Sequence, residues 1–431
     1  MYRKVLEQLI KWKNNEFRKP LIIYGARQIG KTYTMLEFGK TEYDNVAYFN
    51  FENNSELVSI FERDLNPARI IAELSILKGI SIYTGKTLII FDEIQACEKA
   101  ITFLKYINEE ANNYHIIAAG SLLGLALNRG HYSFPVGKVN IINMYPMTFD
   151  EFLIALGEEK LKRLIEKSAE ASKPISDAIH NKALELYRTY LVVGGYPEAI
   201  ARFIQKHDFN HVRAVQGNIA NAYIADMAKY STSSETLKAI AAYNSLPSQL
   251  AKENSKFMYS VIGSSARAKD YENAISWLIN AGVAIKCNKI TEGKMPLKIF
   301  EDALSFKMYY SDVGLLSMKV SVPTDNIVHN LNISDKMRGM LAENYVAQEL
   351  HAKGIEAFYW VSDNQAEIDF VIQINELVIP VEVKSADNVR AKSLGIYRSK
   401  YETEYAIRIS AKNFGFDKGI KSLPLYALFT L

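Results

Sequence analysis

The chain has 431 residues, 48% hydrophobic and 23% charged, with a formal net charge of only +3. This is the composition of a soluble globular protein too long for one ordinary domain, and its near-neutral charge neither requires nor rules out a nucleic-acid role. The two cysteines, Cys97 and Cys287, fit no disulfide framework or zinc spacing and point to a reducing cytoplasm, and no apolar run approaches the roughly 18 residues of a membrane span.

The opening stretch, MYRKVLEQLIKWKNNEFRKP, is charged throughout and reads as an amphipathic helix, not a signal peptide. From about 21 to 145, strand-like and helix-like segments alternate. LIIYG (21–25), AYFNF (47–51), TLIIFD (87–92), HIIAAG (115–120) and VNIINMY (139–145) are apolar runs of strand length. Near-continuous apolarity predicts strands buried on both faces, hence a parallel sheet covered by helices in an α/β sandwich. After TFDEFLIALG (148–157) the pattern is mainly helical to about 235.

Residues 236–320 predict a small helical module: helices TLKAIAAY, SLPSQLAKE and KDYENAISWLINAG, then a wing hairpin of VAIKCNKI and SFKMYYSD. The polar stretch 321–335 is a linker candidate. Past it come the helix MRGMLAENYVAQELHAKG, the strands AFYWVS, EIDFVIQI and VIPVEVKS, a helix near 389–401 and the strand AIRIS, a second α/β unit. The expected domains are therefore 1–157, 158–235, 236–325 and 326–431.

Residues Gly25-Ala26-Arg27-Gln28-Ile29-Gly30-Lys31-Thr32 fit G-x4-G-K-[ST] between a predicted strand and a predicted helix. Glycines let backbone amides turn inward around phosphate oxygens, and the helix N-terminus adds partial positive charge. Lys31 is expected to reach the β- and γ-phosphates of ATP, with the Thr32 hydroxyl on Mg2+. Downstream, TLIIFDEIQ ends a strand in Asp92, a candidate to hold Mg2+ through water, followed by Glu93, a candidate to polarise the attacking water. An Asp–Glu pair at a strand end is also an ordinary helix N-cap signal. Ser121, just after HIIAAG, is a candidate γ-phosphate sensor or an N-cap. Arg129, Lys138 and Arg202 are candidate charge-neutralising cations or solvated surface.

These residues, in this order, resemble a bacterial and archaeal family of AAA-type ATPases. The landmarks are PLIIYGARQIGKT, TLIIFDEIQ, AAGSLLG, FPVGKV, YPMTFDEFL, GGYPEA (194–199), FKMYYSDVGLL, and the C-terminal EIDF and VEVKS. The resemblance covers nearly the whole chain. It implies a P-loop domain of the additional-strand type, a helical lid, a winged-helix-like module and a restriction-endonuclease-like C-terminal domain. Many relatives carry Gly-Arg where this chain has Gly137-Lys138, which puts an arginine-finger role there in doubt.

In the C-terminal unit, Glu343 lies on a predicted helix, Asp369 on EIDFVIQI, and Glu382 and Lys384 on VIPVEVKS. In Glu-x-Lys on a strand, period two puts both side chains on one face, and charges in an otherwise apolar strand are costly unless they point into a site. Three carboxylates and a lysine so placed are candidates to hold Mg2+ and activate water against a phosphodiester. They resemble the E…D…E-x-K set of restriction-endonuclease-like nucleases, which implies that Lys384 positions the nucleophile. The alternative is a salt bridge from Lys384 to Glu382 or Asp369, on a fold kept as a binding scaffold.

Arg267 and Lys269 sit near the start of the third helix of the 236–310 module, where a major-groove contact with DNA is one reading; Trp277 and Leu278 read as core. Gly194-Gly195-Tyr196-Pro197 reads as a tight turn between helices, with a structural role or, as the alternative, one that faces the nucleotide. The sequence thus predicts a cytoplasmic, Mg2+-dependent ATPase switch controlling a nuclease-like domain that acts on DNA or RNA. The rival is a signalling or adaptor protein whose C-terminal domain binds a protein or nucleic acid without chemistry, and a homo-oligomeric remodeller is a third option.

Overall fold

The computed structural model describes residues 1–431 apart from 53, 121–133, 231–232, 253–254, 363–365 and 386–391. The chain divides into two compact units, Met1–Tyr145 and Pro146–Leu431.

The first unit carries strands β1 (Leu21–Tyr24), β2 (Asn45–Asn50), β3 (Thr87–Asp92), β4 (His115–Ala119) and β5 (Asn140–Asn143). All pair in parallel, in the order β2-β3-β4-β1-β5. β3 and β4 are buried along their whole length, as continuous apolar runs demand when helices cover both faces. Phe49, Phe51, Phe61, Phe91 and Phe103 interlock on one face with ring centroids 5.3 to 6.4 Å apart, which fixes the end of β3. Since β4 lies between β1 and β3, the loop after β1 and the carboxylate ending β3 meet across an inserted strand. This is the additional-strand arrangement that the resemblance implies.

The second unit holds β6 (Ala284–Ile290), β7 (Glu301–Tyr310), β8 (Ala357–Val361), β9 (Glu367–Ile374), β10 (Leu377–Val383), β11 (Ala406–Ser410), β12 (Gly415–Asp417) and β13 (Ile420–Pro424). They form one eight-stranded mixed sheet in the order β12-β13-β11-β10-β9-β8-β6-β7. β6 and β7 make the antiparallel hairpin that the sequence predicts as wing strands. The hairpin nevertheless continues the C-terminal sheet, because β6 also pairs in parallel with β8, Asn288 opposite Phe358. Side chains alternate across that sheet. Phe358 and Trp360 pack with Ile368 and Leu394 beneath the helix Lys392–Tyr401, Trp360 against Tyr397 at 5.1 Å. Tyr359 faces the other way, its ring 5.2 Å from the Lys307 ammonium.

Two sequence features acquire a physical explanation here. Residues expected as two helices form one, Ser233–Leu250, with Pro247 inside it. Proline lacks the N–H that would bond the Tyr243 carbonyl, and the Tyr310 hydroxyl donates to that carbonyl instead, at 3.0 Å. Gly194 ends the helix Asp177–Val193 at φ 72°, and a Cβ there would lie 2.3 Å from the Asp312 carboxylate. The Asp312 carboxylate accepts the amides of Gly195 at 2.6 Å and Leu315 at 3.0 Å. Burial pushes its pKa up to about 6, against the pull of those amides. The Gly194–Pro197 turn is thus a structural clasp onto the SDVG segment. Trp277 and Leu278 are core, while Arg267 and Lys269 are exposed. Cys97 and Cys287 are free and buried. Among the described residues no helix is long and apolar enough to cross a membrane.

Candidate functional site

The loop after β1 is shaped by backbone that most residues resist. Gly25 has φ 146°, and a Cβ on it would lie 2.2 Å from the Met144 carbonyl oxygen. Gln28 at φ 63° and Gly30 at φ 91° are left-handed. The helix Lys31–Glu42 follows, its first bond running from the Thr34 amide to the Gly30 carbonyl at 3.0 Å. The amides of Thr32 and Tyr33 lie ahead of that ladder, at the positive end of the helix dipole. Buried Lys31 donates to the carbonyls of Gly25 at 2.8 Å and Ala26 at 2.6 Å, so its ammonium is held inside the loop's curve. Ala26 and Ile29 are core residues anchoring the loop from beneath, and Gln28 is exposed.

The Thr32 hydroxyl donates to Asp92 Oδ2 at 2.6 Å. Asp92 is buried and takes a second donor on that oxygen, the Tyr48 hydroxyl at 3.0 Å, while its Oδ1 accepts the Glu93 amide at 3.1 Å. Glu93 is left-handed at φ 51°, an uncommon state for glutamate that recurs at functional turns, and its carboxylate accepts from the Gln95 amide. Burial, then the neighbouring Asp92 charge, pushes the Tyr48 hydroxyl up to about 12.

A hydroxyl and a carboxylate in contact at the mouth of a glycine-shaped loop are the donor set that Mg-ATP requires. The loop offers phosphate the amides at the start of the helix Lys31–Glu42, and its first residue must be glycine because a Cβ there would collide with the Met144 carbonyl. Thr32 and Asp92 would hold Mg2+, which neutralises charge on the phosphates when bound.

Of the other predicted residues, Ser121 and Arg129 lie outside the described residues. Lys138 is paired with Glu109 at 2.9 Å, and Arg202 is exposed. Two contributors carry no motif signal. Arg3, buried, donates to the loop carbonyl of Ile29 and to that of Tyr145, both at 2.6 Å, and so braces the loop from behind. The other is Tyr48, which only the pairing of β2 with β3 brings to Asp92.

The C-terminal carboxylates come together around a residue that the sequence reading passed over. Lys307, its side chain 1% exposed, reaches Glu343 at 2.9 Å and Glu367 at 2.7 Å. Burial alone would lower its pKa, but Glu343, Glu367 and Asp369 outweigh that and hold it above the ordinary lysine range. Asp369 accepts the Val383 amide at 2.7 Å, and burial, then Glu343, pushes its carboxyl well up. Lys384 pairs with Glu382 at 3.1 Å, which is the salt-bridge alternative. Among the described residues no group of three or more His, Cys, Asp or Glu side chains is placed to hold a metal ion. Glu343, Asp369 and Glu382 nevertheless lie within electrostatic reach of the Lys384 ammonium, so the predicted residues share one neighbourhood. The buried Lys307 ammonium offsets part of the carboxylate charge gathered here.

Residues 17–153 match the family model of an AAA domain, residues 184–326 a domain of unknown function (DUF8612), and residues 338–428 another (DUF4143). The N-terminal unit is thus an AAA-type P-loop domain. An uncharacterized protein of Methanocaldococcus jannaschii is 26% identical over 217 residues, 46% of this chain and 42% of that one. An uncharacterized protein of Haemophilus influenzae is 27% identical over 207 residues, 45% of this chain and 43% of that one. Each match thus spans less than half of the relative's length. Among solved structures, the Walker-type ATPase PABY2304 of Pyrococcus abyssi is similar with a TM-score of 0.46 at 14% identity, covering 74% of this chain and 95% of that one.

Proposed function

We propose that the N-terminal unit binds ATP with Mg2+ and hydrolyses it. The observation that carries this reading is the 2.6 Å contact of Thr32 with Asp92 across the inserted strand, beside the Gly25–Gly30 loop. Lys31 exchanges its loop carbonyls for β- and γ-phosphate oxygens, and Glu93 orients the attacking water. Lys31→Ala should weaken ATP binding and abolish turnover. Glu93→Gln should retain binding and lower turnover by about 100- to 10,000-fold. Calorimetry with Mg-ATP and a phosphate-release assay read both, and full activity in either variant would reject the assignment.

For the C-terminal unit, the ion-paired Lys307 supports the adaptor reading over cleavage: a surface that binds a protein or nucleic-acid partner under control of the nucleotide state. Wild-type protein should leave single-stranded, duplex and branched DNA, and RNA, intact with Mg2+ or Mn2+, with or without ATP. Cleavage lost in both Asp369→Asn and Lys384→Ala would reinstate a nuclease.

A further inference from the structure

We propose that Tyr48 is a positioning residue for the magnesium site, acting through Asp92, with Asn50 fixing the direction of its proton. This rests on the reading of Asp92 as a magnesium residue and extends it to a strand that no part of the loop motif touches.

The register makes the placement unavoidable. β2 pairs with β3 so that Asn50 stands opposite Asp92 and Tyr48 opposite Ile90. Side chains alternate along β2: Ala47 and Phe49 enter the hydrophobic core, leaving Tyr48 and Asn50 together on the other face, where Asp92 also lies. Tyr48 is thus the diagonal neighbour of Asp92, a separation that an aromatic side chain spans. Its hydroxyl oxygen lies 3.0 Å from Asp92 Oδ2.

The polarity of the chain is also determined. The Glu52 amide donates to Asn50 Oδ1 at 2.7 Å, which fixes the amide's orientation. Asn50 Nδ2 then faces the Tyr48 oxygen at 3.4 Å as a donor. With its oxygen approached by an N–H, the Tyr48 hydroxyl directs its own proton to Asp92. The carboxylate receives three donors: Thr32 and Tyr48 on Oδ2 and the Glu93 amide on Oδ1. Only the Thr32 contact has to give way to a metal and its water. The Tyr48 and Glu93 contacts are free to persist, so Asp92 keeps one rotamer whether or not the metal is bound. Without Tyr48, Oδ2 loses its remaining fixed donor, and part of the binding energy goes to ordering the carboxylate. Loss of such a partner one step removed from the metal typically weakens metal affinity about 10- to 100-fold.

The test is a Mg2+ titration of nucleotide binding, read by a fluorescent ATP analogue, together with Mn2+ binding in the presence of that analogue, read by electron paramagnetic resonance. Tyr48→Phe should raise the half-saturating metal concentration about tenfold or more in both. Its affinity for the analogue in EDTA should match wild type, which controls for folding and separates positioning from general damage. Asn50→Leu should give a smaller shift, and the double variant should be no worse than Tyr48→Phe, because Asn50 acts through Tyr48. A half-saturating concentration within twofold of wild type in Tyr48→Phe overturns the proposal. If wild-type protein itself shows no metal dependence of nucleotide binding, the reading of Asp92 fails instead.

Discussion

Lys307→Met removes the ammonium that pairs with both Glu343 and Glu367 while keeping most of the side-chain volume. Taking away one partner of a buried ion pair leaves the other uncompensated, at about 3–5 kcal/mol. The Glu343 and Glu367 side chains are 15% and 25% exposed, so water relieves part of the penalty and the lower end, about 3 kcal/mol, is expected. At roughly 2–4 °C per kcal/mol for a unit of this size, Tm should fall by about 6–12 °C. Trp277 and Trp360 lie in this unit, and their fluorescence during heating reads the transition. The pH dependence carries a second signature. Lys307's pKa is raised by folding, so its stabilisation is fully present below the ordinary lysine value and lost only as pH rises through the higher folded one. It is therefore complete at pH 7. In the variant, Glu367 and Asp369, already pushed up by burial, have lost the larger of their two neutralising cations and keep only Lys384, so lowering the pH toward 5 protonates them and should narrow the deficit. A variant within about 1 kcal/mol of wild type at pH 7, far below the pair-breaking range, would refute the claim that Lys307 holds the cluster together.

Three further outcomes are expected. Asp312, raised from 3.8 to about 6 by burial, contributes stability that is full below its unfolded pKa and lost as pH rises through 6, roughly 3 kcal/mol in all; Asp312→Asn should flatten that part of a urea-denaturation series between pH 4 and 7. Tyr310→Phe strands the Tyr243 carbonyl and should cost about 1–3 kcal/mol, much of it recovered when Pro247→Ala restores the missing N–H; equal losses in both backgrounds would disprove the pairing. Gly25→Ala drives a Cβ to 2.2 Å from the Met144 oxygen and should abolish ATP binding by calorimetry even where circular dichroism shows a folded chain.

What could be read from the sequence was local. Residues 25–32 and the Asp92–Glu93 pair are recognisable because phosphate binding needs glycines, a lysine and a hydroxyl at fixed offsets within one strand–loop–helix. Tyr48 was not, because its partner is a diagonal neighbour on another strand, and register between parallel strands leaves no local mark. Arg3 was hidden for the same reason: its carbonyl partners, Ile29 and Tyr145, lie far along the chain. Lys307 offered the signal that drew attention to Glu382, a charge at an inward position of an apolar strand, between Phe306 and Met308. Reading it would have warned that the acidic cluster brings its own counterion. Pro247 suggested a helix break, and only a tyrosine from β7 removes the reason for one.

The hydrogen bonds between β6 and β8 tie residues before the 321–335 stretch to residues after it. A truncation placed there, the natural choice for anyone isolating the C-terminal segment, would strip β8 of its neighbour and leave bare amides and carbonyls along both cut strands. Such fragments should come out insoluble or as strand-exchanged dimers. Biochemistry on this half of the molecule is therefore best begun from Pro146, with the hairpin retained.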